Sequence, residues 1–285
     1  MLNRMTAVCV LVLLSGTIIN SACSQDINRS GYTFDYPDRV YNLPKSLAEI
    51  SGLTLLDRSH LGAIHDEKDD LFVIDIRTGE VTDRHDMGSR RDYEGVERVG
   101  DTVYVLSSSG TIYEIRDWKN NKQITGKYKT WLNRGHDTEG LAYDAASHRL
   151  LIACKEYPGK GLNGYRAVYA FDLEQKQLLP EPAFKIDLAQ ADTGKKKGWG
   201  RTKQIKPAAL AVHPLTQQLF IISSVKRRMV VLNSDGTLAA VHKLPKEYFA
   251  QAEGMAFLPN GDLFISNERA GRKTATLLRF NYRVD

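Results

Sequence analysis

From about residue 50 onward the chain runs as short apolar stretches broken by polar turns. "LGAIHDEKDDLFVIDI", "DTVYVLSSSGTIYEI", "HRLLIACKE", "QQLFIISSVKRRMVVL" and "GDLFISNE" are rich in β-branched and aromatic residues, and Gly, Asp, Asn or Ser bound them. That pattern predicts strand, hairpin, strand. "LPNGDLF" sets Asn-Gly between two apolar runs, the strongest short hairpin signal. "NSDGTL" and "RTGEV" carry turn residues in the same way. Past the first 22 residues, no segment keeps a helical period beyond about two turns. The expected class is all-β.

The runs recur. Five related words open them: "ISGLTLL" at Ile50, "YEGVERV" at Tyr93, "TEGLAYD" at Thr138, "PAALAVH" at Pro207 and "AEGMAFL" at Ala252. Their second residues are Ser51, Glu94, Glu139, Ala208 and Glu253, spaced by 43, 45, 69 and 45. A period near 45 is that of a four-stranded propeller blade. The 69-residue interval exceeds it by 24, and the excess falls in Gly- and Lys-rich sequence between Glu156 and Lys206, read as elongated loops. Only 32 residues follow Glu253, enough for three strands. The strand-like segment Gly31 to Pro44 is therefore expected to complete the last blade and close the ring, because an open ring leaves unpaired edges. The expected architecture is a five-bladed β-propeller of four-stranded blades over residues 31–285. A β-sandwich would use the same strands but leaves the period unexplained.

The first residues read differently. "MLNR" supplies one positive charge, "MTAVCVLVLLSGTII" is a 15-residue apolar run and "NSAC" brings small residues. This is the layout of a secretory signal, too short to span a bilayer comfortably. "SAC-S" around Cys23 resembles a bacterial lipoprotein signal, although Asn20 stands where such signals carry an aliphatic residue. Residues 1–22 are thus expected to be a lipoprotein-type signal peptide, Cys23 the lipidated residue and 23–30 a tether. The expected location is the cell envelope, anchored to the outer membrane by lipid; plain secretion to the periplasm is the alternative. With Cys9 lost in the signal and Cys23 modified, Cys154 is left as a free thiol, so no disulfide framework is expected. Composition is ordinary for a globular chain, 42% hydrophobic and 26% charged. The net charge of +5 becomes +4 without the signal, which gives no case for nucleic-acid binding. A monomer is expected.

With "ISGLT", "HDEKDDLFVID", "DYEGVE", "DTEGLAYD" and "AEGMAFLPNGDLFISNE" in order, the chain resembles the SdiA-regulated family of bacterial envelope proteins. That family is a five-bladed relative of phytase-like and NHL-type propellers. The resemblance implies a calcium ion in the central channel and no established activity.

First strands line a propeller's channel, so Glu94, Glu139 and Glu253 are expected to converge at one mouth. Like charges brought together and desolvated hold protons well above about pH 4.3 unless a cation joins them. Calcium takes roughly six to eight oxygens in irregular geometry and suits such a ring; zinc would want His or Cys, and none recurs here. The alternative is that each Glu caps backbone N–H groups at the blade start. Ser51 and Ala208 leave the ring incomplete. A second ring of polar residues ends the inner hairpins, with Asp66, Glu67, Lys155, Glu156, Asn267 and Glu268 as the candidate binding face; the alternative is solvated turns. No nucleophile elbow, P-loop or dinucleotide fingerprint occurs. Two functions follow: a calcium-containing binding module for a small molecule, glycan or protein, or a calcium-dependent phytase-like or other esterase-type hydrolase at the channel mouth.

Overall fold

A computed structural model describes residues 30–88, 92–120, 124–191, 204–271 and 273–283. The segment expected to be a signal peptide, Cys23, most of the expected tether and the Lys-rich sequence at 194–203 lie outside the described residues. Five antiparallel sheets of four strands make up the fold. The first blade is β2 (Ile50–Leu55), β3 (His60–His65), β4 (Lys68–Asp75) and β5 (Val81–Asp86). The second is β6 (Tyr93–Val99), β7 (Thr102–Ser107), β8 (Thr111–Arg116) and β9 (Gly126–Lys129). The third is β10 (Thr138–Asp144), β11 (Arg149–Cys154), β12 (Tyr165–Asp172) and β13 (Gln177–Asp187). The fourth is β14 (Ala209–Val212), β15 (Leu219–Ser223), β16 (Arg228–Leu232) and β17 (Leu238–Lys243). The fifth joins β18 (Ala252–Phe257), β19 (Leu263–Asn267) and β20 (Thr276–Phe280) to β1 (Arg39–Asn42), in the order β1-β20-β19-β18. The inner strands β2, β6, β10, β14 and β18 touch in turn, and β18 returns to β2. The chain is a closed five-bladed propeller.

Burial grades outward across each blade. The second strands β15 and β19 are wholly buried, whereas the outer strands β9 and β17 are half-buried or exposed. Second strands lie between two neighbouring sheets, so both faces must be apolar; this is why they read as continuous apolar runs. The core is accordingly five clusters, each between two blades. Phe220 and Met229 of the fourth blade, for example, pack with Met255 and Phe257 of the fifth.

Closure uses the N-terminal segment in two ways. Only Arg39–Asn42 pairs as a strand, with Arg39 opposite Arg279 and Asn42 opposite Thr276. Upstream, Tyr32 and Phe34 turn inward and join the cluster between the fourth and fifth blades. Tyr32 donates its hydroxyl to the Gly261 carbonyl, and Arg283 N–H reaches the Gly31 carbonyl at 3.0 Å. The expected strand over Gly31 to Pro44 is therefore shorter, and its first part is a plug.

The recurring acid-glycine word has an architectural cause in two parts. Four inner strands are bulged at the residue before the glycine: Tyr93 and Gly95 face the consecutive residues Ser107 and Leu106, leaving Glu94 unpaired. Glu139, Glu253 and Ser51 are the extra residues of equivalent bulges. A bulge re-aims one side chain out of the pleat. The glycine then meets the next blade. A Cβ on Gly95 would stand 2.7 Å from the Leu141 Cβ, and one on Gly254 3.0 Å from Leu53 N, distances that real Cβ atoms do not tolerate without displacement.

Candidate functional site at the channel mouth

Each second strand runs antiparallel to its inner strand, so the hairpin that follows it ends where the inner strand begins. The ring of glutamates and the ring of hairpin residues are consequently one site at one mouth. Lys155, just after β11, donates to Glu139 Oε1 and lies 3.9 Å from Asp137 Oδ2. Ser224, after β15, donates to the Ala252 carbonyl at 2.5 Å and to Glu253 Oε1 at 3.2 Å. Among the described residues no side chain or backbone group donates to Glu94, and no backbone N–H is bonded to Glu139 or Glu253. The capping alternative thus finds no bonds here. Ser51, at the equivalent position of the first blade, spends its hydroxyl on the Tyr93 carbonyl at 2.8 Å and stitches two blades together.

The electrostatics are those of crowded acids. Burial first, then Glu139 and Asp92, push the Glu94 carboxyl to about 9, with Lys155 acting against them. Burial, then Glu139 and Glu268, raise Glu253 to about 8. Burial outweighs Lys155 at Glu139, which is held at about 7. Glu268 is likewise raised to about 7, by burial and by Glu49 and Asp66. Burial also works against the Lys155 charge, but Glu139, Asp137 and Glu253 outweigh it and hold the ammonium above the ordinary lysine range. Lys155 acts on all four raised glutamates, so it is the electrostatic centre of the mouth. Asp92, Asp137 and Glu49 also belong to this site; Asp92 and Asp137 open the words "DYEGVE" and "DTEGLAYD" but are not among the sequence candidates, and Glu49 carries no such signal. Asp137 adopts a left-handed φ of 52°, which Asp tolerates better than most residues.

The remaining candidates divide. Asp66 is half-buried, and burial raises its carboxyl; the His65 ring nitrogen beside it accepts the Glu67 N–H at 3.1 Å. Glu67 is exposed. Glu156 is bound to Lys206 at the mouth's rim. Asn267 lies beneath the face: it is 2% exposed, and its amide donates to Thr276 Oγ1 at 3.2 Å. His136 is buried, accepts the Asn133 N–H at 3.1 Å and is pushed down by burial, so it is a neutral structural ring. Cys154 is a free thiol, buried and pushed up to about 12.

Below the glutamates the channel narrows to a cavity of about 10 Å³, lined by Glu94, Glu139, Glu253 and the inner-strand backbones. That is room for one water or one ion. The donors are oxygens, the chemistry of a hard cation. Among the described residues, however, no three His, Cys, Asp or Glu side chains are grouped as a metal cage. Lys155 draws Glu139 aside, and Ser224 holds Glu253. At the opposite mouth Glu97 accepts from Thr54 Oγ1 at 3.0 Å, and burial raises it to about 7 beside a cavity of about 280 Å³. Among the described residues no helix is long and apolar enough to cross a membrane.

Solved structures of similar fold include a Myxococcus xanthus glutaminyl cyclase, 13% identical, with a TM-score of 0.61 over 88% of this chain and 97% of that one. A luciferin-regenerating enzyme is 9% identical, with a TM-score of 0.52 over 86% and 95%. At these identities the likeness is one of fold. No curated protein matches the chain. The model of one family, SdiA-regulated, matches residues 28–270, nearly the whole propeller and each acid-glycine word. The chain belongs to the SdiA-regulated family.

Proposed function

We propose that this propeller is a binding module of the cell envelope, that its ligand is taken at the acidic channel mouth, and that calcium is the countercharge of Glu94, Glu139 and Glu253. The observation that carries the reading is the placement of three bulged glutamates, from three blades, around one desolvated opening with Lys155. The cost of that arrangement falls when a cation enters. Calcium would take over Glu139 from Lys155, and the freed ammonium would then face an incoming anionic group. Cys23 would hold the module to the outer membrane by lipid; label from a fatty acid that persists after Cys23→Ser would sink that part. The test of the ion is calorimetric titration of thoroughly demetallated protein with calcium and with magnesium. Saturable binding of calcium, far weaker binding of magnesium and loss of the signal in Glu139→Gln are expected. A protein that binds neither ion, with an unchanged melting curve in chelator, would overturn the reading.

A second reading is favoured by one observation: Glu139 and Glu268 are held at about 7 beside Lys155. Carboxyls that titrate near neutrality suit proton transfer, and one fold neighbour is a glutaminyl cyclase. A panel of phosphate esters, carboxyl esters and N-terminal glutaminyl peptides, with and without calcium, separates an enzyme from a binding module.

A further inference from the structure

A cavity of about 620 Å³ lies off the axis at the seam where the ring closes. One wall is the chain 43–49, which leads from β1 into β2. The second is formed by residues 269–271 and 273–275 between β19 and β20, and the third is the β3–β4 hairpin. These walls are tied together: Leu43 N–H donates to the Ala275 carbonyl at 2.9 Å, Arg269 N–H to the Ala48 carbonyl at 2.8 Å, and Lys68 Nζ to the Ser46 carbonyl at 2.6 Å. The volume falls within the roughly 300–1,000 Å³ of small-molecule sites.

Its charge has a direction. Lys45, Lys68, Arg269 and Lys273 line it against Glu49 and Glu67. Arg269 is neutralised by Glu49 at 3.3 Å. Lys45 and Lys273 are exposed and, among the described residues, have no carboxylate partner. Lys68 is already positioned, held by Ser46 and set over the Phe72 ring at 5.8 Å. An ammonium has three donors, so two remain for a ligand. Leu43, Pro44 and Ala275 supply apolar wall beside these charges. Three lysines against one free carboxylate favour a doubly charged anion, and lysine meets phosphate well as a point charge.

We propose that the seam pocket binds a phosphate monoester with an apolar body. The phosphate is met by Lys45, Lys68 and Lys273, and the body lies on Leu43, Pro44 and Ala275. Because the ligand touches both partners of the closure, it fastens the two ends of the propeller. This proposal does not rest on the reading of the channel mouth, although Glu49 borders both.

The experiment is titration of the protein with hexyl phosphate and with inorganic phosphate, alongside sedimentation with phosphatidylcholine vesicles that contain or lack phosphatidic acid. Hexyl phosphate should saturate and raise the melting temperature, and inorganic phosphate should bind at least about tenfold more weakly. Lys45→Ala and Lys273→Ala should each weaken hexyl phosphate by about tenfold, close to 1.4 kcal/mol, while Lys160→Ala leaves it unchanged. Both lysines are exposed, so equal melting of the ligand-free variants and parent separates binding from folding. Selective sedimentation with phosphatidic acid, lost in the double variant, would support the site and assign the phosphate to a lipid headgroup. Absence of saturable binding in every arm, or binding unchanged in the double variant, would overturn the proposal. Equal affinity for hexyl and inorganic phosphate would overturn the role of the apolar wall.

Discussion

Lys155 and Glu139 meet across the top of one blade, the lysine from the hairpin after β11 and the glutamate from the bulge that opens β10. The pair is local in the sheet, yet its ammonium compensates acids from three blades. Removing it should expose what it suppresses. Lys155→Met leaves Glu139 buried without its partner, so the variant should be less stable than the parent in chelator, by several kcal/mol if Glu139 stays ionised. It should also bind calcium more tightly, since the competing cation is gone. Melting in chelator and in excess calcium, for both proteins, checks the two directions. A variant as stable as the parent in chelator and with the same response to calcium would show that the pair is peripheral.

The raised carboxyls predict a pH dependence of definite sign. Glu94 ionises at about 9 in the fold against 4.5 unfolded, and Glu253 at about 8. The folded chain therefore keeps protons that the unfolded chain has already released. Stability from the neutral forms is complete below about pH 4.5, falls as pH rises and is lost by about pH 9, at up to about 1.4 kcal/mol per pH unit for each proton. Lys155 stays charged throughout. Denaturation midpoints in chelator should decline from pH 5 to pH 9, and Glu94→Gln should flatten the decline. Calcium bound as proposed would keep the carboxylates ionised, so excess calcium should flatten it as well.

The glycine that follows each bulge is expected to be intolerant for steric reasons. A Cβ at Gly140 would press on the Leu210 side chain and stand 3.1 Å from Leu210 N. Gly140→Ala should cost about 1–3 kcal/mol by overpacking, even though alanine is otherwise the better strand residue. The fourth blade already carries Ala209 at the matching place, so Ala209→Gly should cost less, about 0.5–1 kcal/mol. Urea midpoints at constant slope give both numbers. The reverse ranking would mean that the inner strands can spread without cost.

The period and the closing strand were legible because each blade buries one set of apolar faces, and burial leaves its mark on every turn of the repeat. The convergence of Glu94, Glu139 and Glu253 followed from the same period. The bulge was not legible: an extra residue in one strand is defined by the partner strand's register, which the repeated word does not contain. For the same reason the hairpin residues read as a separate ring, although antiparallel pairing brings Lys155 to Glu139. Asn267 looked like part of that face because it ends an apolar run, but its register opposite Ala252 and Thr276 puts it under the surface. Tyr32 and Phe34 alternate with polar neighbours, and an edge strand and a core plug share that alternation.

That last ambiguity gives the sharpest test of closure. If the N-terminal segment locks the ring mainly as a strand, damage to β1 should dominate; if the plug matters more, damage upstream should. Phe34 is 4% exposed and packs against Phe280 at 5.4 Å between centroids, whereas Val40 in β1 is 47% exposed. Phe34→Ala leaves a cavity between the fourth and fifth blades and should cost about 3–5 kcal/mol. Val40→Ala removes little buried surface and should cost under about 0.5 kcal/mol. Arg39→Pro, at an exposed position whose backbone N–H lies on the paired side in register with the Leu43–Ala275 bond, removes a ladder donor and tests the pairing itself; a loss well below that of Phe34→Ala would place most of the closure energy in the plug. Equilibrium unfolding of the three variants decides. Should Phe34→Ala match the parent while Arg39→Pro unfolds the chain, the ring closes by β1 pairing and the aromatic plug contributes nothing.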